Sequence, residues 1–274
     1  MSGVKTKSKP LWGRRIILNI ESYYVGKDEK PLDVIKPDGG FTSIFRTIAC
    51  IGDSLSSGEF ESHNPDGSLN WNDMYEYSWG QFIARATGSK VYNFSKGGMT
   101  AKKYMTSFAD ERDFFSEDKL CQCYIMALGV NDILNQNMPL GTLEDVDLAD
   151  YRNNKDSFTG WYCAIIQRLK SMRPDAKFFL VTMPRGRNDE KQAEFAKHLG
   201  KICDFFDNCY LIDLYKYAPV YDEEFKKHFY LGGHMNPMGY KLTADMIMSY
   251  IDYIIRANPA DFYQTGFIGT GKKY

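Results

Sequence analysis

Five short apolar runs punctuate the chain, at residues 47–51, 90–93, 121–128, 177–182 and 209–212. Their apolar positions are continuous rather than alternating, the pattern of strands covered on both faces. Between them, apolar residues recur at helical spacing. SWGQFIARATG opens on Ser78, a natural N-cap, and closes on Gly88. A second helix is predicted over 158–172, with Trp161, Ile165 and Leu169 on one stripe, stopping before Pro174. A third spans 189–206. The last follows Pro237, a residue suited to a first helical position, and runs through Tyr240, Ala244, Ile247, Ile251 and Ile254 to residue 257. Strands alternating with helices imply βαβ crossovers, hence a parallel sheet of about five strands in a three-layer α/β/α sandwich of flavodoxin-like kind. Ligands of such sheets bind beyond the carboxyl ends of the strands, so chemistry is expected in the loops that follow each run.

Three stretches fall outside this alternation. Residues 1–45 form an N-terminal extension with a candidate strand at 15–20 and a Gly/Pro turn at 36–40. The alternating pattern defines a domain over 46–258, followed by a C-terminal tail, 259–274. Residues 59–77 read as a long loop carrying Trp71, Tyr75 and Tyr77, and 133–157 as a polar, acidic connection. At 274 residues the chain fits one domain. Its formal net charge of -1 gives no global attraction to nucleic acid or an anionic membrane surface. No apolar window reaches the length of a membrane span, and no signal-type apolar stretch follows the basic N-terminus, so the chain reads as cytoplasmic. The six cysteines sit mostly in apolar runs. Cys121 and Cys123 fall on one face of a predicted strand without a second pair at zinc spacing, which favours core over metal.

Candidate chemistry begins at Ile51-Gly52-Asp53-Ser54-Leu55-Ser56, where the first strand ends and a helix begins. Glycine permits the turn, and Ser54 falls at a helix N-terminus, which favours developing negative charge. A serine hydroxyl needs a base to become a nucleophile. The chain has four histidines. His63 lies in the polar loop, His198 mid-helix and His228 beside two lysines. His234 stands in Gly232-Gly233-His234-Met235-Asn236-Pro237, directly before the last helix, placed to reach the sheet edge. The second run is followed by Asn93-Phe94-Ser95-Lys96-Gly97-Gly98-Met99-Thr100 and the third by Gly129-Val130-Asn131-Asp132. Acyl transfer passes through an oxyanion, for which a glycine N–H and an asparagine amide are suitable donors.

In these residues the chain resembles the SGNH (GDSL) hydrolases, named for a Ser, a Gly, an Asn and a His in separate blocks. GDSL is Gly52–Leu55, the glycine of the N-x-[GS]-x-x-G-x-T block is Gly98, G-x-N-D is 129–132, and the histidine is His234. The resemblance implies that Ser54 attacks a carbonyl, that His234 takes its proton, and that the Ser54 and Gly98 N–H groups with the Asn131 amide hold the oxyanion, without metal or cofactor. An aspartate usually stands three residues before the histidine. Here that position is Leu231. Three readings are open: a backbone carbonyl orients His234, another acid does so (Asp213, Asp222, Glu223 and Glu224 are the candidates), or the site is crippled.

The expected substrate is a small-molecule or carbohydrate ester bearing a small, acetyl-like acyl group. Trp71 and Tyr75 could meet a sugar ring, with Tyr77 and Trp79 alongside, and Arg185 and Arg187 an anionic or hydroxyl group. An acyltransferase with the same site, and a non-catalytic binder on the same scaffold, are the alternatives. No G-x-S-x-G elbow is present, which argues against an α/β-hydrolase fold.

Overall fold

The computed structural model of the chain describes residues 20–186 and 189–274. Arg187 and the candidate strand as far as residue 19 lie outside the described residues; Ile20 itself begins a 3-10 turn. In chain order the strands are β1 (Thr47–Gly52), β2 (Glu59–His63), β3 (Leu69–Asp73), β4 (Lys90–Asn93), β5 (Cys123–Ala127), β6 (Lys177–Val181), β7 (Cys209–Ile212), β8 (Tyr230–Leu231) and β9 (His234–Met235). Five of them form one parallel sheet in the order β4-β1-β5-β6-β7, matching the five runs and the flavodoxin-like expectation.

Alternate residues along each central strand enter two separate cores. Ala49, Ile51, Tyr124, Met126, Phe178 and Leu180 face the helices at 101–111, Phe158–Met172 and Asp189–Phe205. Ile48, Cys50, Cys123, Ile125, Phe179 and Val181 face Trp79–Thr87 and Pro237–Ala257. Both faces of the pleat are therefore dry, and that is why the runs read as continuously apolar. The predicted caps are present: Ser78 accepts from the Gln81 N–H, Gly88 closes the same helix in the left-handed conformation, and Pro237 opens the last one.

Two expectations need correction. Cys121 precedes β5 and packs in one core while Cys123 packs in the other, so the two do not share a strand face. Residues 59–77 are not a loop but a β2–β3 hairpin followed by a 3-10 turn at Tyr75–Tyr77. The stretch after β4 also forms a helix, over 101–111, that the apolar pattern alone did not signal. The segment from residue 20 to β1 lies on the C-terminal helix. The Lys36 N–H donates to Ser249 Oγ (2.8 Å), Thr42 Oγ1 donates to the Met248 carbonyl (2.9 Å), and Glu29 pairs with Arg256. Among the described residues no helix is long and apolar enough to cross a membrane.

Because β1 lies between β4 and β5, the chain leaves it for opposite sides of the sheet on either hand. A crevice forms at such a point beyond the carboxyl ends. The loops after β1, β4 and β5, which carry Ser54, Gly98 and Asn131, all open onto it.

Candidate active site

Ser54 is the first residue of a short helix, Ser54–Ser57, and is half-buried. Asp53 caps that helix by accepting the Leu55 N–H, and Asp53 is itself buried. The short helix is tied to its surroundings by serines. Ser95 Oγ donates to Ser56 Oγ (2.7 Å) and Ser57 Oγ donates to Asp73 Oδ1 (2.7 Å). Gly52 has no room for a side chain because Ser56 Cβ fills that space, so the strand can turn into the helix only with glycine here.

Asn131 joins the first three blocks. Its Nδ2 donates to the Met99 carbonyl (3.1 Å), next to Gly98, and approaches Asp53 Oδ2 (3.5 Å), next to Ser54. Its Oδ1 accepts from Asn135 (2.8 Å). Gly98 has a left-handed φ of 69° with open space where a side chain would project, leaving its backbone accessible. Asp132 anchors the same region, accepting the Ala101 N–H (2.9 Å) while its Oδ2 is buried without a partner. Burial pushes the Asp53 carboxyl up to about 7, against the Leu55 N–H that favours its ionised form, with Asp132 and Glu59 adding to the rise. Burial likewise raises Asp132 to about 6.

His234 opens β9 and pairs with Leu231 across the β8–β9 hairpin. The Leu231 side chain is 53% exposed and turned to solvent. The imidazole makes no hydrogen bond to Ser54; its Nε2 lies 3.1 Å from Glu59 Oε1, both side chains being 17% exposed, and its Nδ1 is buried without a partner. The serine and histidine segments are nonetheless adjacent. Tyr240, on the helix after His234, donates its hydroxyl to the Glu59 carbonyl (2.6 Å) and lies 3.5 Å from the Ser54 carbonyl. Burial holds His234 below the usual histidine range, offset in part by Glu61. Burial and then Asp73 raise Glu59.

The four acids considered from the sequence are engaged elsewhere. Asp213 accepts the Lys216 N–H and Thr182 Oγ1, and Asp222 caps the helix Glu223–Phe229. Glu223 pairs with Lys226, and Glu224 with Lys227 and His228. None of them contacts His234. Read as part of a loop, Glu59 and Glu61 are not singled out. The pattern Glu59-Phe60-Glu61 alternates as a half-buried strand does, and that signal could have found them.

Beside the serine lies a cavity of about 360 Å³. Its walls include Leu55, Val181, Leu214, Tyr221, Met235 and Arg185, and it touches Asp53 and Gly233 but neither Ser54 nor His234. Arg185 is thus brought near the site. Trp71 is exposed on β3, and Tyr75 turns its hydroxyl to the Val91 carbonyl (3.0 Å). Tyr77 packs on Phe60, and Trp79 is core. Among the described residues no group of His, Cys, Asp and Glu is arranged to hold a metal ion.

A five-stranded parallel sheet with a serine after its first strand, and glycine and asparagine loops on either side, is the SGNH-hydrolase fold. The chain belongs to the GDSL-like lipase/acylhydrolase family, whose pattern it matches over residues 50–242, and it is a serine esterase of that family. Solved structures similar to it include a family two carbohydrate esterase from Clostridium thermocellum in complex with cellohexaose (15% identity, TM-score 0.54, 77% of this chain and 64% of that one). A protein from Lactobacillus plantarum (16%, 0.55, 76% and 97%) and the psychrotrophic esterase EstA from a Pseudoalteromonas species, inhibited by monoethylphosphonate (17%, 0.50, 77% and 98%), are also similar. The chain thus spans less than two thirds of the length of the Clostridium esterase. These likenesses are of fold. No curated protein matches the chain by sequence.

Proposed function

We propose that the chain hydrolyses a small acyl ester of a carbohydrate or other small molecule through an acyl-enzyme on Ser54. Ser54 Oγ attacks the ester carbonyl as His234 takes its proton. The tetrahedral oxyanion is held by the Ser54 and Gly98 N–H groups and the Asn131 amide. The intermediate collapses, the alkoxide leaves with the proton from His234, and a water activated by the same imidazole releases the acid.

The observation that carries this reading is the Asn131 amide, within 3.1 Å of the residue after Gly98 and 3.5 Å of the residue before Ser54. One side chain thereby ties the nucleophile loop to both oxyanion loops. The longer contact, to Asp53, is the one the amide would surrender to an oxyanion. Hydrogen bonds between a catalytic serine and its histidine commonly tighten only with substrate bound. The carbohydrate part rests on the exposed Trp71 and on the oligosaccharide held by the Clostridium esterase.

The test is labelling by a fluorophosphonate, with hydrolysis of a p-nitrophenyl acyl series beside acetylated sugars. Labelling and turnover in the wild type, lost in Ser54→Ala and His234→Ala, are expected. A wild type that neither labels nor turns over any ester would leave a non-catalytic binder. Acyl transfer to a sugar in preference to water would make the same site a transferase.

A further inference from the structure

We propose that Glu59 is the carboxylate that positions His234, taking over from across the β2 strand the role that Leu231 cannot fill. The inference rests on His234 acting as the base. The ring's Nε2 stands 3.1 Å from Glu59 Oε1 in a pocket where both side chains are 17% exposed. A neutral imidazole has one N–H and one lone pair. With the proton on Nε2, beside the carboxylate, the lone pair falls on Nδ1, the ring atom that is buried and without a partner. A carboxylate this close to Nε2 favours the proton there, which leaves Nδ1 as the basic nitrogen.

Three further contacts show that the carboxylate is built in rather than resting on a surface. It fills the space that a side chain on Gly97 would occupy, beside the oxyanion glycine, so Gly97 must be glycine for Glu59 to lie there. Tyr240 holds the Glu59 main chain through its carbonyl (2.6 Å). Two residues along the same strand, on the same face, Glu61 accepts the Gly233 N–H (2.8 Å) and its carboxylate also abuts Gly232. Two glutamates of one strand therefore grip the histidine segment, Glu61 by its backbone and Glu59 by its ring. Leu231, 53% exposed on the far side of the β8–β9 turn, contributes nothing polar.

The titratable groups that act on His234 are Glu59 beside its ring and Glu61, both on β2; Asp73 on β3, Asp53 after β1 and Tyr240 on the last helix lie around Glu59 in turn. Glu59 is the carboxylate nearest a ring nitrogen, so removing its charge should lower the His234 pKa, with Glu61 contributing through space.

The experiment uses the full chain with ¹⁵N-labelled histidine, assigning His234 by its loss in His234→Ala. In the wild type, neutral His234 should be the Nε2–H tautomer. Glu59→Gln should lower its pKa by about one unit and reduce kcat at least ten-fold with KM within two-fold. The acid limb of kcat/KM should move down with it. Leu231→Asp added to Glu59→Gln should recover part of kcat by restoring a carboxylate from the other side. Glu59→Asp, which keeps the charge, serves should Glu59→Gln fail to fold, and should hold the tautomer and most of the pKa. An unchanged His234 titration and tautomer in Glu59→Gln overturns the proposal, whatever happens to kcat. A fall in kcat alone would make Glu59 merely structural. The titration does not depend on turnover. A wild type lacking Ser54-dependent activity sinks the hydrolase reading separately.

Discussion

The two halves of the candidate site are held in different ways. Ser54, Gly98 and Asn131 sit on loops that leave adjacent strands of the buried sheet, so the backbone of β1, β4 and β5 fixes their positions. His234 belongs to a two-residue strand outside that sheet and is flanked by side chains of β2, with Glu59 3.1 Å from its ring and Glu61 accepting the N–H of the preceding Gly233. The first half is rigid because the core beneath it is. The second is only as well placed as a few polar contacts with the β2–β3 hairpin allow. Substitutions in the first half should therefore damage chemistry at an intact site, whereas those in the second should act by letting the base drift.

The largest effect is expected at the nucleophile. Ser54→Ala should cost roughly 10⁴-fold or more in kcat, with an unchanged melting temperature, since Ser54 Oγ holds nothing else in the structure. Steady-state kinetics and a thermal melt check both halves of that statement. Asn131→Ala should cost about 10²-fold to 10³-fold in kcat through the lost oxyanion donor. It should also lower stability by about 1 kcal/mol through the lost bond to the Met99 carbonyl. A kcat within a few-fold of wild type would remove Asn131 from the site. Gly97→Ala tests the seam between the two halves. Its new methyl would occupy the place of the Glu59 carboxylate and push it off His234, so a fall of about ten-fold in kcat/KM is expected. Adding Leu231→Asp should soften that loss. A Gly97→Ala enzyme with wild-type activity would show that the hairpin and the oxyanion loop are not in register.

The contrast also explains what could be read from the sequence. The central strands β1, β5 and β6 are apolar on both faces, and the first three chemical blocks follow β1, β4 and β5. Periodicity therefore located 51–56, 93–100 and 129–132 together with the order of the layers. The histidine segment offered only its flanking glycines and Pro237, enough to single out His234 but not its partner. Its carboxylate comes from a hairpin whose outer positions are polar and whose strands pair only with each other, so 59–73 lacks the apolar signature of the central strands. The acids near residue 231 and after β7 are close to His234 in sequence or at the sheet edge but do not meet its ring. The acid that meets the ring is five residues after the nucleophile, and spacing along the sequence carried no information about that meeting.

A final, smaller effect separates the halves by their response to pH. Asp53, buried under the rigid half, has its carboxyl raised to about 7, whereas an unfolded aspartate titrates near 3.8. Between those values the native chain binds a proton that the unfolded chain has released, so stability falls as pH rises through that window and levels off above it. Asp132, raised to about 6, adds a narrower component of the same sign. Asp53→Asn keeps an oxygen for the Leu55 N–H and has nothing to ionise. Its melting temperature should therefore decline less than that of the wild type between pH 4 and 7, leaving it on the order of 5 °C higher at pH 8. Glu61→Gln, in the exposed half, should leave the slope of that profile nearly as it is. Parallel melting profiles for wild type and Asp53→Asn would mean that Asp53 is ionised at no cost in the fold, and that the nucleophile loop is wetter and less rigid than the sheet beneath it.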